Sequence, residues 1–292
     1  MSIQPGCDAA APGGEVRALH PLVIPTGPTG DADMPGDFGG LAIDVETTGL
    51  IAGTGKVIEL AMRTFRYNRE GVITHVYEPH CWREDPGEPI SPAITLVTGL
   101  TNEDVAGCRI DDIKATELMK SVSFVVAHNS AFDRKFVEAR LPMAAGLPWC
   151  CSLSQVDWRR RGMGNLSLAY LLHECGYYHV GHRAQADVDA LIQILRHQNE
   201  DGRTALAEMI ERGAAPGWKV SAVGAHFDMR EELKARGYRW NGAERCWAIE
   251  LENDDALHAE QLWLAENVYA HGRRAKGRAP LVEPITAHTR FL

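Results

Sequence analysis

Runs of apolar residues divide the chain into strand-like and helix-like segments. LAIDV, which begins at Leu41, predicts a short buried strand, and the runs KVIELAMRTFRY and VITHVYEP predict two more strands after it. SFVVAH predicts a further buried strand, and the SAFDRKFVEARL segment behind it has apolar residues three to four positions apart, as in a helix. Strands followed by strand-helix alternation favour an α/β layered fold.

Two more helices follow the strand-helix unit. NLSLAYLLHECG is the first, and AQADVDALIQILRH is the second, with Val188 and Leu191 on its apolar stripe. Asp187 lies at the edge of this stripe. Asp189 is expected to face solvent.

The two ends of the chain have a different pattern. Residues 1–37 are rich in Gly, Pro, Ala and Asp, which predicts a disordered leader before a first domain over residues 38–213. After Gly213 three strand-like runs and two helical runs predict a small α+β module over residues 214–272, followed by a basic tail over 273–292. Trp240 and Trp247 can meet across a hairpin with an Asn-Gly turn, either as part of a small core or as a platform for stacked bases.

Composition and charge limit the classes of protein to which this chain can belong. The 292 residues are 45% hydrophobic and 24% charged, which excludes collagen, coiled-coil and wholly disordered chains and predicts about two folded domains. The net charge is −9, but residues 214–292 contain eleven basic and eleven acidic residues, so the acidic excess lies in residues 1–213. Seven cysteines without a CxxC pair, and no apolar run of about 18 residues, predict a cytoplasmic protein.

Asp44 and Glu46 are two residues apart on a predicted strand, so their side chains leave the same face. Like charges 4 Å apart repel each other by about 4 kcal/mol at an effective dielectric constant near 20. A divalent cation would convert this repulsion into attraction. In the alternative reading, one of the two carboxylates points to solvent at the end of the strand.

Asp133 and Asp187 extend the acidic set. Asp133 lies three residues before Phe136, on the side of its helix that turns inward, although an N-terminal capping role is the alternative. Asp187 lies beside Val188 at the edge of an apolar stripe. The four acids thus point toward one face of the core, and hard oxygen ligands of this kind suit Mg²⁺ or Mn²⁺.

His182 precedes Asp187 by five residues, which would place the two about 140° apart on a continuous helix. We therefore expect His182 in the loop that enters the helix, from which it could reach the metal site. A purely structural histidine is the alternative.

Three motifs in this order, DVETTG, AHNSAFD and HRAQAD, resemble the exonuclease motifs of the DEDDh 3′-to-5′ exonucleases, the superfamily of RNase T and of the proofreading epsilon subunit of bacterial DNA polymerase III. The resemblance covers about residues 40–200. TGLTNEDVAG also resembles a further segment of the family, with Thr98 where histidine is frequent. The resemblance implies an RNase H-like core, a mixed five-stranded sheet flanked by helices with the active site at its edge.

The resemblance also implies roles for the acids and the histidine. Two divalent cations, Mg²⁺ or Mn²⁺, would stabilise the entering and leaving oxygens of a phosphoryl displacement. Asp44, Glu46 and Asp187 would hold the first cation, Asp44 would bridge to the second, and Asp133 would support the second through water. His182 would take the proton from the attacking water. The implied reaction releases nucleoside 5′-monophosphates from a 3′ end.

Substrate contacts follow from the same resemblance. Single-stranded ends suit such a site, because only an unpaired nucleotide can enter it. The main-chain amides of the turn after the first acids, and side chains of the second motif, would contact the terminal nucleotide, with Leu50 as an apolar wedge. These positions are Thr47, Thr48, Gly49, Leu50, His128, Asn129 and Phe132. Gly49 as a plain turn residue and Phe132 as a core residue are the alternatives.

The sequence leaves several readings open. Single-stranded DNA 3′ ends are the expected partner, with RNA ends as the alternative, and association with a DNA polymerase stays open. A phosphatase that forms an aspartyl-phosphate would need a second Asp where Glu46 stands, and it would not explain the other motifs. A non-catalytic nucleic-acid or polymerase-binding subunit would be expected to lack a ligand.

Because all motifs precede Gly213, the sequence predicts that a chain ending there folds as an exonuclease.

Overall fold

A computed structural model describes residues 18–31, 36–179, 181, 183–242, 244–270 and 279–292. The elements up to residue 214 are β1 His20–Pro21, β2 Gly27–Pro28, β3 Phe38–Thr47, β4 Val57–Tyr67, β5 Ile73–Arg83, α1 Pro92–Thr98, α2 Asn102–Val105, α3 Asp112–Lys120, β6 Phe124–Ala127, α4 Ser130–Arg140, β7 Trp149–Cys151, α5 Leu168–Glu174, β8 Tyr177–Tyr178, α6 Ala184–Leu195 and α7 Ala205–Ala214. Those after it are β9 Gly217–Ser221, α8 Arg230–Ala235, β10 Arg239–Asn241, β11 Cys246–Leu251, α9 Asp254–Asn267 and β12 Leu281–Ile285. Within these described ranges, none of the helices has the length and apolarity that crossing a membrane requires.

A six-stranded mixed sheet in the order β2-β5-β4-β3-β6-β7 forms the centre of the first domain. β3, β4 and β5 are antiparallel neighbours, whereas β6 pairs parallel to β3 and β7 parallel to β6. The predicted α/β fold with its mixed five-stranded sheet is confirmed. The additional strand, β2, has two residues and pairs with the edge of β5. A Gly-Pro pair has no hydrophobic pattern that could have predicted it.

Helices cover both faces of this sheet, and alternation along β3 decides which face each side chain meets. Ala42 packs into a core cluster with Val188 and Leu191 of α6. Leu41 and Ile43 pack into a second cluster on the face of α3 and α4. Asp44 and Glu46 share the alternation of Ala42 and therefore lie on the face that α6 covers.

A buried ion pair ties α6 to the sheet. Arg63 of β4 has a side chain 2% exposed, and its guanidinium donates to Asp189 of α6 over 2.6 Å. The expectation that Asp189 faces solvent is therefore wrong. Helical spacing within α6 could not reveal this contact, because the cation comes from a strand 126 residues earlier.

The C-terminal residues form a second, four-stranded antiparallel sheet in the order β10-β11-β9-β12. α8 and α9 contribute Leu233 and Leu264 to a core with Val220 of β9. Trp240 lies opposite Trp247, with ring centroids 5.7 Å apart, as the sequence predicts for the hairpin. The connection from Asn241 to Cys246 is longer than the two-residue turn that an Asn-Gly pair predicts.

Parts of both predicted irregular ends are ordered as strands. Residues 1–17 and 32–35 of the leader, and 273–278 of the tail, lie outside the described residues. β1 pairs with β8, and β2 with β5, so these leader residues are not disordered. β12, which the sequence analysis places in the tail, is an edge strand beside β9. Such short strands form through hydrogen bonds to segments that are distant in the chain, so their own residues show little pattern that would predict a strand. The domain boundary near residue 213 stays a prediction.

After β12 the chain packs back on the first domain; we call residues 286–291 the C-terminal return. Arg134 of α4, with no exposed side-chain surface, donates to the carbonyl oxygens of His288 and Arg290, both over 2.6 Å. The amide of Trp149, on edge strand β7, donates to the carbonyl of Ala287 over 2.8 Å. The C-terminal return therefore packs on the first domain, and the folding of a chain that ends near Gly213 stays a prediction.

We expect Arg134→Met to lower the free energy of unfolding by about 3 kcal/mol, because two carbonyl oxygens of the C-terminal return and the Glu138 carboxylate would lose a fully buried donor. Urea unfolding of the full chain measures the change. Arg159→Met, at an exposed arginine, is the control and should change stability by less than about 0.5 kcal/mol. Equal stability of the two variants would contradict the assignment.

Candidate active site

Three carboxylates converge where β3 meets the start of α6. Asp44, Glu46 and Asp187 each offer an oxygen, and these oxygens all lie within 4.8 Å of one another. The two strand residues share a face because they are two positions apart, and Asp187 lies in the first turn of the helix that covers this face. The alternative that one strand carboxylate simply points away into solvent is therefore excluded.

Asp133 completes the acidic set from the other side of β3. It lies in the first turn of α4, is 4% exposed, and accepts a hydrogen bond from the Val45 amide over 3.3 Å. It borders the same cavity, of about 230 Å³, as Asp44, Glu46 and Asp187. Asn129 occupies the N-cap position of α4 but makes no side-chain capping bond, so its amide group is not committed to the helix end.

Burial and neighbouring negative charges raise the pKa values of Asp44, Glu46 and Asp133. Asp44 keeps some solvent contact within the cavity, yet burial raises its pKa well above the usual value, and the charges of Asp133, Asp187 and Glu46 add to the shift. Burial, with repulsion from Asp187, raises the pKa of Glu46 to about 7. Burial also dominates the rise of the Asp133 pKa to about 8. A bound cation would reverse this penalty, and oxygen donors of this kind suit a hard divalent ion.

Two contacts fix the orientation of Asp187. Its Oδ1 lies 2.8 Å from Nε2 of His179, and its Oδ2 accepts the Arg183 amide over 3.2 Å. His179 is a residue that the sequence analysis missed, although it lies three positions before the predicted base, His182, in the sequence. His182 itself lies outside the described residues.

The predicted substrate residues divide into two groups. His128, Asn129 and Phe132 line the acidic cavity. Leu50 is 86% exposed and lies with Asn129 and Phe132 around an adjoining cavity of about 360 Å³. Thr47 ends β3, and Thr48 and Gly49 follow it; none of the three is in the described lining of either cavity.

Two of these residues already have hydrogen-bond partners that limit their roles. The Thr48 amide donates to the carbonyl of Lys56 over 2.9 Å, so that amide is not free for a nucleotide as the sequence analysis expects. The two ring nitrogens of His128 lie 2.8 Å from the Ser152 hydroxyl and from the Leu166 carbonyl. Burial lowers the pKa of His128, which makes it a neutral wall residue.

Comparison with known proteins gives one family match. The model of the RNase T family, described as exonuclease, matches residues 41–195, just over half of the chain. DNA polymerase III PolC-type of Streptococcus pyogenes is 28% identical over 183 residues, which cover 58% of this chain and 12% of that protein. The corresponding protein of S. pyogenes serotype M5 is 27% identical over 173 residues, which cover 55% and 11%. The chain thus spans about an eighth of the length of these curated relatives.

Two solved structures are also similar. Exonuclease X in complex with 5′ overhanging duplex DNA aligns with a TM-score of 0.40 and 23% identity, over 57% of this chain and 99% of that one. The zinc-bound complex of E. coli ExoI with single-stranded DNA aligns with a TM-score of 0.49 and 16% identity, over 86% and 63%. Both TM-scores are below 0.5.

We expect the metal-free protein to lose stability as the pH rises from about 5 to about 8. The unfolded acids ionise near pH 4, whereas Glu46 and Asp133 ionise in the folded state at about 7 and 8, so above pH 4 deprotonation favours the unfolded chain. Millimolar Mn²⁺ should raise the melting temperature at pH 8 by several degrees, because it binds the folded state. Thermal melting with a chelator and with Mn²⁺ measures both effects.

Asp44→Asn is the matched control for this experiment, since it keeps the side-chain shape and removes one charge. It should melt no lower than the wild type without metal, with a weaker dependence on pH, and should respond little to Mn²⁺. A variant that responds to Mn²⁺ as the wild type does would show that the acids do not act together.

Proposed function

Because the chain belongs to the RNase T exonuclease family, we propose that it is a metal-dependent 3′-to-5′ exonuclease that shortens single-stranded DNA and releases nucleoside 5′-monophosphates. The observation that carries the proposal is the convergence of four acids from β3, α4 and α6 on one cavity. Paired carboxylates that raise one another's pKa values are costly unless a cation binds between them. The exposed Leu50 lines the adjoining cavity, which shares Asn129 and Phe132 with the acidic one, and a strand end could enter there.

The acids would bind two divalent cations, Mg²⁺ or Mn²⁺. Asp44, Glu46 and Asp187 would hold one of them, and Asp44 with Asp133 would hold the other. Cations bound in this way supply charge stabilisation for the entering and leaving oxygens of an in-line displacement. The Asp187 carboxylate is oriented for cation binding, because His179 and the Arg183 amide hold its two oxygens in place.

His182 is proposed to take the proton from the attacking water. The proposal depends on its place in the HRAQAD motif, five residues before Asp187. His179 has a separate role, because its Nε2 is engaged by Asp187. It would orient a metal-binding carboxylate and leave the proton transfer to His182.

The terminal nucleotide would lie in the cavity lined by His128, Asn129 and Phe132. Phe132 offers an aromatic face for a base, and Asn129 offers an amide that does not cap α4. Thr47, Thr48 and Gly49 would then shape the turn that carries Leu50 rather than bind the nucleotide through all their amides.

DNA is proposed as the substrate over RNA, and a DNA polymerase is proposed as a partner. The support is the matched region in the PolC-type DNA polymerases, with 28% identity. A pull-down of purified bacterial replicative polymerase by the full chain tests the partner. Equal rates on RNA and DNA strands of the same sequence would instead favour the exoribonuclease reading.

A 5′-labelled single-stranded oligonucleotide with Mg²⁺ tests the reaction and its polarity. We expect stepwise shortening from the 3′ end, and a phosphorothioate at the last linkage should slow the first step. Asp187→Asn should reduce the rate at least a thousandfold, because it removes a cation ligand. Asp201→Asn, at an exposed acid, should keep the wild-type rate. A strand that stays intact with the wild type would favour a non-catalytic binding subunit.

We expect His182→Ala to lower the rate by about 10²- to 10⁴-fold, the usual effect of losing a general base, with Mn²⁺ affinity almost unchanged. His179→Ala should lower the rate by about tenfold and weaken Mn²⁺ binding, because it releases Asp187. Single-turnover rates and Mn²⁺ titration of both variants separate the two roles. The reverse pattern would exchange the assignments.

A further inference from the structure

A fifth carboxylate, Glu59 of β4, lies buried next to the site and has no role in the proposed reaction. It is 1% exposed and lies opposite Glu46 of β3 and opposite Arg83 of β5 in the sheet register. Opposite residues of antiparallel neighbours project on the same face. Glu46, Glu59 and Arg83 therefore form a row across the sheet, under the start of α6.

The Glu59 carboxylate binds the first residues of α6. Its Oε2 accepts the amide of Ala184 over 3.0 Å, and its Oε1 accepts from the Arg183 guanidinium over 3.2 Å. The Arg83 Nε lies 3.7 Å from Oε1. A buried carboxylate is stable only with such compensation, so these partners explain how Glu59 is tolerated in an apolar strand.

The Glu59 carboxylate acts as the N-terminal cap of α6. Arg183, at the N-cap position, makes no side-chain capping bond among the described residues. A carboxylate from a distant strand takes its place, and a negative charge at a helix N-terminus is favourable. Arg183 is also the residue whose amide orients Asp187, and it follows His182 in the sequence.

We propose that Glu59 is a positioning residue that fixes where α6 begins over the sheet and thereby holds Asp187 against Asp44 and Glu46. The carboxylate group that could hold a cation consists of Asp44, Glu46 and Asp187 within the described residues, and Glu59 is not part of it. Its oxygens are occupied by the helix amide and by arginine. Partners that orient metal ligands typically change metal affinity or activity by 10- to 100-fold. The inference rests on the proposed exonuclease function.

The test compares Glu59→Ala and Glu59→Gln with Glu84→Gln in the full chain. Glu84 is a suitable control because it also binds an arginine, Arg140, and a main-chain amide, that of Ile110, but it does not contact α6. For each variant we would measure kcat and KM on the labelled strand, the melting temperature, and Mn²⁺ binding to the metal-free protein by titration.

Glu59→Ala should lower kcat by about 10- to 100-fold, change KM for the strand by less than about threefold, and weaken Mn²⁺ binding by about tenfold or more. Glu59→Gln keeps one acceptor for the Ala184 amide and should recover part of both losses. Glu84→Gln should keep kcat and Mn²⁺ affinity within about twofold of the wild type.

If Glu59→Ala loses only melting temperature, with kcat and Mn²⁺ affinity as in Glu84→Gln, the residue is merely structural and the inference is overturned. If the wild type does not shorten the strand, but Glu59→Ala still binds Mn²⁺ tenfold more weakly than the wild type, the proposed function fails and the positioning role is supported. The Mn²⁺ titration therefore separates the two failures.

Discussion

Repulsion among carboxylates in one small cavity is the constraint on which this structure depends. β3 brings Asp44 and Glu46 to one face, and α4 and α6 bring Asp133 and Asp187 to them. Burial and the neighbouring negative charges make Asp44, Glu46 and Asp133 harder to ionise. Contacts outside the cluster must therefore hold the acids together. A bound cation would compensate their negative charge.

The contacts that hold the cluster are polar and come from distant parts of the chain. Around Asp187, α6 is fixed at its first residue by Glu59 and at Asp189 by the buried Arg63. Arg63 also donates to the carbonyls of Tyr77 and Ile24, so the same guanidinium joins β4, β5 and the segment before β2. The helix that carries Asp187 is thus fixed on both sides of this residue by Glu59 and Arg63, charged groups with almost no solvent exposure.

The sequence predicts the parts of this arrangement that depend on local spacing. Two positions along a strand place Asp44 and Glu46 together, and the apolar residues after Asp133 show which side of α4 turns inward. The sequence does not reveal the roles of Glu59 and Arg134, because each binds groups that are 125 or more residues away. Within an apolar run a single charged residue has no periodic signal, and only the assembled sheet or the returning chain supplies its partner. For the same reason the sequence does not predict the strands β1, β2 and β12, whose pairing partners are also distant in the chain.

The C-terminal return also has a consequence for synthesis of the protein. Arg134 finds its acceptors 154 and 156 residues later in the chain, beyond the whole C-terminal sheet. A ribosome that adds about 5–20 residues per second needs roughly 8–30 s to cover that distance. Once Asp187 has been translated, all four acids of the cavity are present, while the helix that carries Asp133 still lacks its last support. Completion of the nuclease core is therefore coupled to translation of the second sheet. In a chain that stalls within that sheet, the buried Arg134 lacks the carbonyl acceptors of His288 and Arg290.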